Sequence, residues 1–164
     1  MADIVYNTDG EYGKYIVQEL KTPNLPPKFV EFYKTYAQRL LWMDGNNVPG
    51  AFQMNTTWYL NASEVRPLYA HDEHTHEFDE MIGFIGSDPE NPNDLGGEIE
   101  IGLGGELHRL TKSSIIFMPG GIKHLPLSIL ELHRPIFHFS ISMNPTYYAK
   151  KTEGDVTLAS ETEK

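Results

Sequence analysis

From Arg39 to Met143 the chain is a series of short segments with a two-residue alternation, cut apart by turn-forming residues. Asp44-Gly45-Asn46-Asn47, Asn93-Asp94-Leu95-Gly96-Gly97, Gly104-Gly105, Lys112-Ser113 and Gly120-Gly121 separate most of them. Such punctuation leaves little room for long helices. It predicts strands at Arg39–Met43, Ala51–Leu60, Leu68–His76, Glu80–Ile85, Glu98–Leu103, Leu107–Thr111, Ser114–Met118, His124–Leu130 and Pro135–Met143. Short strands at close spacing read as an all-β sandwich or barrel. The length of 164 residues suits one domain with a hydrophobic core of its own.

The first fifty residues read as an arm and extra strands packed on that barrel. Tyr15–Leu20 reads as a first strand, and the prolines at 23, 26 and 27 deny a ladder its donors. Beyond Pro27, Phe29, Phe32, Tyr33 and Tyr36 recur at helical spacing, which predicts a short helix ending near Ala37. Residues 51–149 form the barrel. The polar tail from Lys150 to Lys164 reads as disordered. Ser87–Gly97, acidic with two prolines, is a surface loop or a lid. The expected core is Phe52, Met54, Ile82, Phe84, Ile99, Ile101, Ile115, Phe117, Phe137 and Phe139.

Charge and composition exclude several functions. A formal net charge of −10 repels phosphate backbones, so no nucleic-acid partner is expected. No apolar run approaches the roughly 20 residues of a membrane helix, and no secretory signal is visible at the start. The absence of cysteine removes disulfides, thiol catalysis and thiolate metal sites. It fits a cytoplasmic location.

Three of the seven histidines fall within His71-Asp-Glu-His74-Thr-His76. On a strand, His74 and His76 share a face about 6.6 Å apart, and two imidazoles at that spacing can converge on one ion with bonds of about 2.1 Å. His71 has the opposite parity and reads as a rim residue. Glu80 on a straight strand would lie about 13 Å beyond His76. The chain must therefore turn at Glu77–Asp79, as a hairpin or as a helical turn, and the glycine- and β-rich context favours the hairpin. Further along, Pro119-Gly120-Gly121-Ile122-Lys123-His124 places a histidine just after a tight turn. It is a fourth ligand candidate.

His74-x-His76-x3-Glu80 followed by Pro119-x-Gly121-x2-His124 resembles the two motifs of the cupin superfamily. The resemblance covers roughly Ala51–Met143. Leu68, Gly86, Ser113 and Ser128 depart from the usual flanking residues, at turns rather than at ligands. The resemblance implies a double-stranded β-helix, or jelly-roll barrel, in which His74, His76, Glu80 and His124 hold one divalent metal. Fe, Mn, Ni, Co and Zn all suit such a nitrogen and oxygen set.

The expected function is a metalloenzyme acting on a small oxygen-rich molecule bound at the metal. The resemblance points to dioxygenase, isomerase, lyase or decarboxylase chemistry. The alternative is a metal-anchored binding or sensor protein. Candidate proton-transfer groups are His138, Glu98 and Glu100. An apolar outer face and open strand edges suggest a homodimer.

Overall fold

The computed structural model describes residues 4–21, 25, 27–68, 72–146, 149–151 and 154–156. Its single α-helix among these, α1 (Pro27–Tyr36), lies where the aromatic spacing places it and buries Phe32 and Tyr36. The strands are β1 (Ala37–Met43), β2 (Gln53–Tyr59), β3 (His74–Thr75), β4 (Glu80–Gly86), β5 (Asp94–Leu103) and β6 (Glu106–Lys112). They continue with β7 (Ser114–Met118), β8 (His124–Leu132), β9 (Ile136–Ser142), β10 (Ala149–Lys151) and β11 (Gly154–Val156). Two sheets result. One has the order β1-β2-β9-β4-β7 and the other β11-β10-β3-β8-β5-β6. Every pairing is antiparallel. This is the all-β jelly-roll architecture expected, with its short helix.

Phe84, Ile99, Ile101, Met118, Leu127, Ile129 and Ile136 close the space between the sheets, and Phe32 and Tyr59 cap it from the side of α1. The Phe32 and Tyr59 rings meet edge to face at 5.9 Å. Each such side chain, fully buried, stabilises the fold by about 1.5–3 kcal/mol.

Several expectations are corrected. Tyr15–Leu20 is not a strand. Glu11–Tyr15 is a 3-10 turn, and the residues after it run irregularly. Three successive large apolar residues, Tyr15–Val17, offer no single face to bury. Leu68–His76 shrinks to His74–Thr75, and His71 lies outside the described residues. Where the tail reads as disordered, Ala149–Lys151 and Gly154–Val156 form a small hairpin whose first strand pairs with β3. The open edge of β3 supplies backbone partners, so the tail needs no apolar face there.

The largest correction concerns which side of the first sheet is inside. Phe52, Ile115 and Phe117 are more than half exposed, and Met54, Phe137 and Phe139 are only partly covered. The opposite side, with Gln53, Asn55, Thr57, His138 and Ser142, is buried. Ile82, Phe84, Ile99 and Ile101 are core, as expected. Along β2 and β9 the first sheet therefore turns a polar stripe inward and apolar residues outward, the reverse of the usual rule, while β4 and β7 keep Ile82, Phe84 and Met118 inside. On the outer side Phe139 lies across Gly83, where a β-carbon would come within 2.2 Å of its ring.

Candidate metal centre

The two sequence motifs meet where the chain changes sheets. His74 sits on β3 in one sheet and Glu80 opens β4 in the other. Residues 76–79 are therefore a crossing between sheets, not the hairpin expected. The crossing achieves what the hairpin was required to do, because it brings Glu80 back beside His76. His124 opens β8 directly opposite His74.

The second turn is bonded to the crossing. Gly121 N–H donates to the His76 carbonyl at 2.7 Å, and Gly120 N–H donates to Asp79 Oδ1 at 2.9 Å. A β-carbon on Gly120 would stand 2.2 Å from the Glu77 carbonyl oxygen. Gly121 has φ of 87°, a conformation that glycine adopts without strain. Asp79, though itself exposed, thus anchors the turn that delivers His124.

His74, His76, Glu80 and His124 are all buried, and one potential ligand atom from each lies within 4.8 Å of the others. Glu80 Oε2 is 2.8 Å from His76 Nε2 and 3.3 Å from His124 Nε2. The outer ring nitrogens are all engaged by backbone. His74 Nδ1 is 2.8 Å from the Asp72 carbonyl, His76 Nδ1 is 2.6 Å from that of Phe78, and His124 Nδ1 is 2.9 Å from that of Ile122. A carbonyl accepts only, so each Nδ1 donates its proton there and each ring turns Nε2 inward, where a lone pair is offered once its own proton is released to make way for a metal. Nε2 of His124 is buried without a hydrogen-bond partner. Lone pairs and a carboxylate converging on one point need a cation between them, so the donor set fits a divalent metal.

Electrostatics agree with this. Burial acts to raise the Glu80 carboxyl, but while no ion is bound the rings of His124 and His76 donate toward it and bring it down to about 2. It is ionised at any ordinary pH. Burial, with His124 nearby, pushes His74 down to about 4, which keeps it neutral and able to bind metal.

The three proton-transfer candidates separate. Glu98 and Glu100 alternate with the buried Ile99 and Ile101, so they face outward. There they pair with Arg109 at 3.4 and 3.0 Å. The structure places them away from the metal-binding group, because the apolar residues of β5 take its inner face. His138 does face the interior. It stacks on Tyr59 and Phe84, with ring centroids 5.1 and 5.0 Å away. Its Nδ1 lies 3.0 Å from the Gly83 carbonyl, and burial lowers it to about 4.

Around these groups lies a polar lining, on the side of β2 and β9 opposite Phe52, Met54, Phe137 and Phe139. Gln53, Ser142 and Glu80 are in register across β2, β9 and β4, and Thr57, His138 and Phe84 form a parallel row. Oε1 of Gln53 and Oγ of Ser142 are buried with no hydrogen-bond partner. The available signal was the match between Gln-x-Asn-x-Thr on β2 and His-x-Ser-x-Ser on β9, two polar stripes of equal period. The loop at 87–93 leaves the other end of β4, roughly 20 Å along the strand from Glu80. Ser113 ties it down there through bonds to the carbonyls of Pro92 and Asn93, so it is no lid over the metal-binding group.

A small antiparallel β-barrel with a buried group of three histidines and one glutamate is the class that fold and site define. The two motifs that resemble those of the cupin superfamily thus supply one buried group of side chains. Among solved structures the chain is similar to KdgF from a Halomonas species, at 16% identity over 68% of this chain and 78% of that one, with a TM-score of 0.39. It is similar to recombinant oxalate oxidase in complex with glycolate, at 16% identity over 80% and 61%, TM-score 0.45. It is also similar to the DMSP lyase DddQ from Ruegeria pomeroyi, at 17% identity over 80% and 57%, TM-score 0.42. The chain thus spans less than two thirds of the oxidase and lyase chains. No protein-family model matches the sequence, and no curated protein matches it. Among the described residues no helix is long and apolar enough to cross a membrane.

Proposed function

We propose that the protein is a mononuclear metalloenzyme that binds a small oxygen-rich organic molecule at the ion held by His74, His76, Glu80 and His124. The observation that carries this reading is the polar interior beyond those four residues. Gln53 Oε1 and Ser142 Oγ are buried without partners beside Glu80, and a purely structural ion does not require such a lining. Bound there, Fe, Mn, Ni, Co or Zn supplies Lewis acidity or a site for O₂. Three neutral imidazoles and one carboxylate leave a dication with a single net positive charge, which favours an anionic or oxygen-rich ligand. The stack of Tyr59, His138 and Phe84 continues the lining along the same sheet as Glu80, with Nδ1 of His138 held on the Gly83 carbonyl. A chain this acidic and free of cysteine fits a cytoplasmic location.

A second reading, a metal-anchored binding or sensor protein, is favoured by one observation. His138, the interior histidine outside the metal set, is held neutral by burial down to about pH 4. It accepts a hydrogen bond more readily than it carries a proton at neutral pH. The deciding experiment is metal analysis of the purified protein, followed by assays of hydroxy acids, keto acids and enediols for binding and for turnover. Binding and turnover that both vanish on chelation support the enzyme, and binding without turnover supports the sensor. A protein that holds no metal defeats both.

We also propose that the apolar outer face of the β1-β2-β9-β4-β7 sheet pairs with a second copy of the chain. Phe52, Trp58, Ile115, Phe117, Phe137 and Phe139 lie on that side and none is charged. Five strands of about this length offer roughly 500 Å² of surface, toward the upper end of the largest apolar patch a monomer carries, and patches of that size are often functional. Two molecules each carrying −10 approach most readily through an uncharged face.

A further inference from the structure

Arg39 is the one cation that points into the barrel from the first sheet. It pairs with Thr57 across β1 and β2, and Thr57 faces inward on the same side as Asn55, Gln53 and, two strands on, Glu80. Arg39 Nε donates to Asn55 Oδ1 at 3.3 Å. The rings of Tyr33 and Trp42 each lie 5.1 Å from its Cζ. The Tyr33 hydroxyl in turn reaches the side chains of Thr57 and Asn55, and the Trp42 indole N–H is fixed on Asp44 at 2.9 Å. The guanidinium is thus held in place by an amide and two aromatic rings. Yet no carboxylate among the described residues pairs with it, and Nη1 and Nη2 are buried with no hydrogen-bond partner.

A guanidinium fixed at its base, dry at its tips and unpaired is unfavourable in the free protein. Its outer edge presents parallel N–H donors that match the two oxygens of a carboxylate. Asn55, on which it leans, is two strands across and two residues along from Glu80, about 12 Å between Cα atoms. Both side chains leave the inward face of the same sheet. One small molecule can touch both.

We infer that Arg39 is the anion-recognising residue of the interior, and that the molecule bound there carries a carboxylate gripped by Nη1 and Nη2 while its other end reaches the metal-binding group. The second half rests on the metal-centre reading. The carboxylate grip stands without it. The ligand class is a small organic acid with a second oxygen-bearing group a few bonds away.

The test uses the protein as purified, with its metal content measured, and the dicarboxylates malonate, succinate, glutarate and adipate beside their monomethyl esters. Calorimetry compares wild type with Arg39→Met and Arg39→Lys. At least one diacid is expected to bind the wild type, and Arg39→Met should weaken it by about 10- to 100-fold. Arg39→Lys, which keeps the charge but not the fork, should fall between. Metal content should be the same in all three. Without ligand, Arg39→Met should melt at the wild-type temperature or above, since it removes an unpaired buried charge. A marked loss of melting temperature makes the guanidinium a structural member and overturns the inference. So does diacid binding that is unchanged in Arg39→Met, or no binding of any acid at millimolar concentration. Should the purified protein hold no metal, the proposed function fails by itself. The same acids then still decide Arg39, because loss of their binding in Arg39→Met supports the grip and indifference refutes it.

Discussion

Asp79 accepts the backbone N–H of Gly120 at 2.9 Å, and this bond joins the crossing that carries His76 and Glu80 to the turn that carries His124. Neither residue is itself a ligand. Asp79→Ala should therefore weaken metal binding by about 10- to 100-fold, the usual cost of losing a supporting bond around ligands. Asp79→Asn retains an acceptor oxygen and should lose less. Competitive titration against a chelator of known affinity measures both. Equal affinity in Asp79→Ala and wild type would show that the turn holds itself.

Direct removal of a ligand should act more strongly. His76→Ala should abolish stoichiometric metal while the protein stays folded, and Glu98→Gln with Glu100→Gln should leave metal content unchanged. Those two glutamates meet Arg109 on the outer surface, and exposed pairs of this kind contribute about 0–1 kcal/mol. Elemental analysis and circular dichroism on the three proteins settle the assignment.

Chelation should lower the melting temperature without unfolding the protein at room temperature. Phe84, Ile99, Ile129 and Ile136 are fully buried away from any need for metal. The ion adds stability only by binding the folded state, a few kcal/mol at micromolar affinity. A chelated protein that lacks a cooperative transition would reassign the ion to folding.

His138 gives the metal-free protein a pH dependence. Burial lowers it from an ordinary value of 6.5 to about 4, so between these values the unfolded chain binds more protons than the folded one. The contribution is fully present above pH 6.5 and is lost as pH falls toward 4, up to roughly 3 kcal/mol. His138→Gln should flatten that part of the stability curve. Denaturant titrations of both proteins at pH 7 and pH 4.5 compare them, with His74 common to each. Parallel curves would mean that His138 is reached by water.

The outer face makes its own prediction. Phe117, more than half exposed, lies beside Met81 across β7 and β4. Phe117→Lys should leave the fold and metal intact and convert a dimer to a monomer in sedimentation equilibrium. A wild type that sediments as a monomer would remove the proposal.

Much of this structure is legible from residue types and spacing. The helix at Phe29–Tyr36, most strands, and the grouping of His74, His76, Glu80 and His124 all follow from periodicity and motif. The side of the first sheet that faces inward does not. An alternation of Phe52, Met54, Trp58 with Gln53, Asn55, Thr57 has a period but no sign, and burial preference alone chooses the wrong side when the interior is a polar binding space. The same error hid Arg39, because a strand's opening arginine looks like a solvated edge. The crossing at residues 76–79 was misread as a hairpin because local sequence reports that a chain turns, not which sheet it enters.

His74 and His124 belong to one sheet and Glu80 to the other. A cation held among them ties together segments far apart in sequence and closes the long loop between Glu80 and His124. In a chain without cysteine, such a cross-link would do the work of a disulfide, and a chelator would open it where a reductant would not.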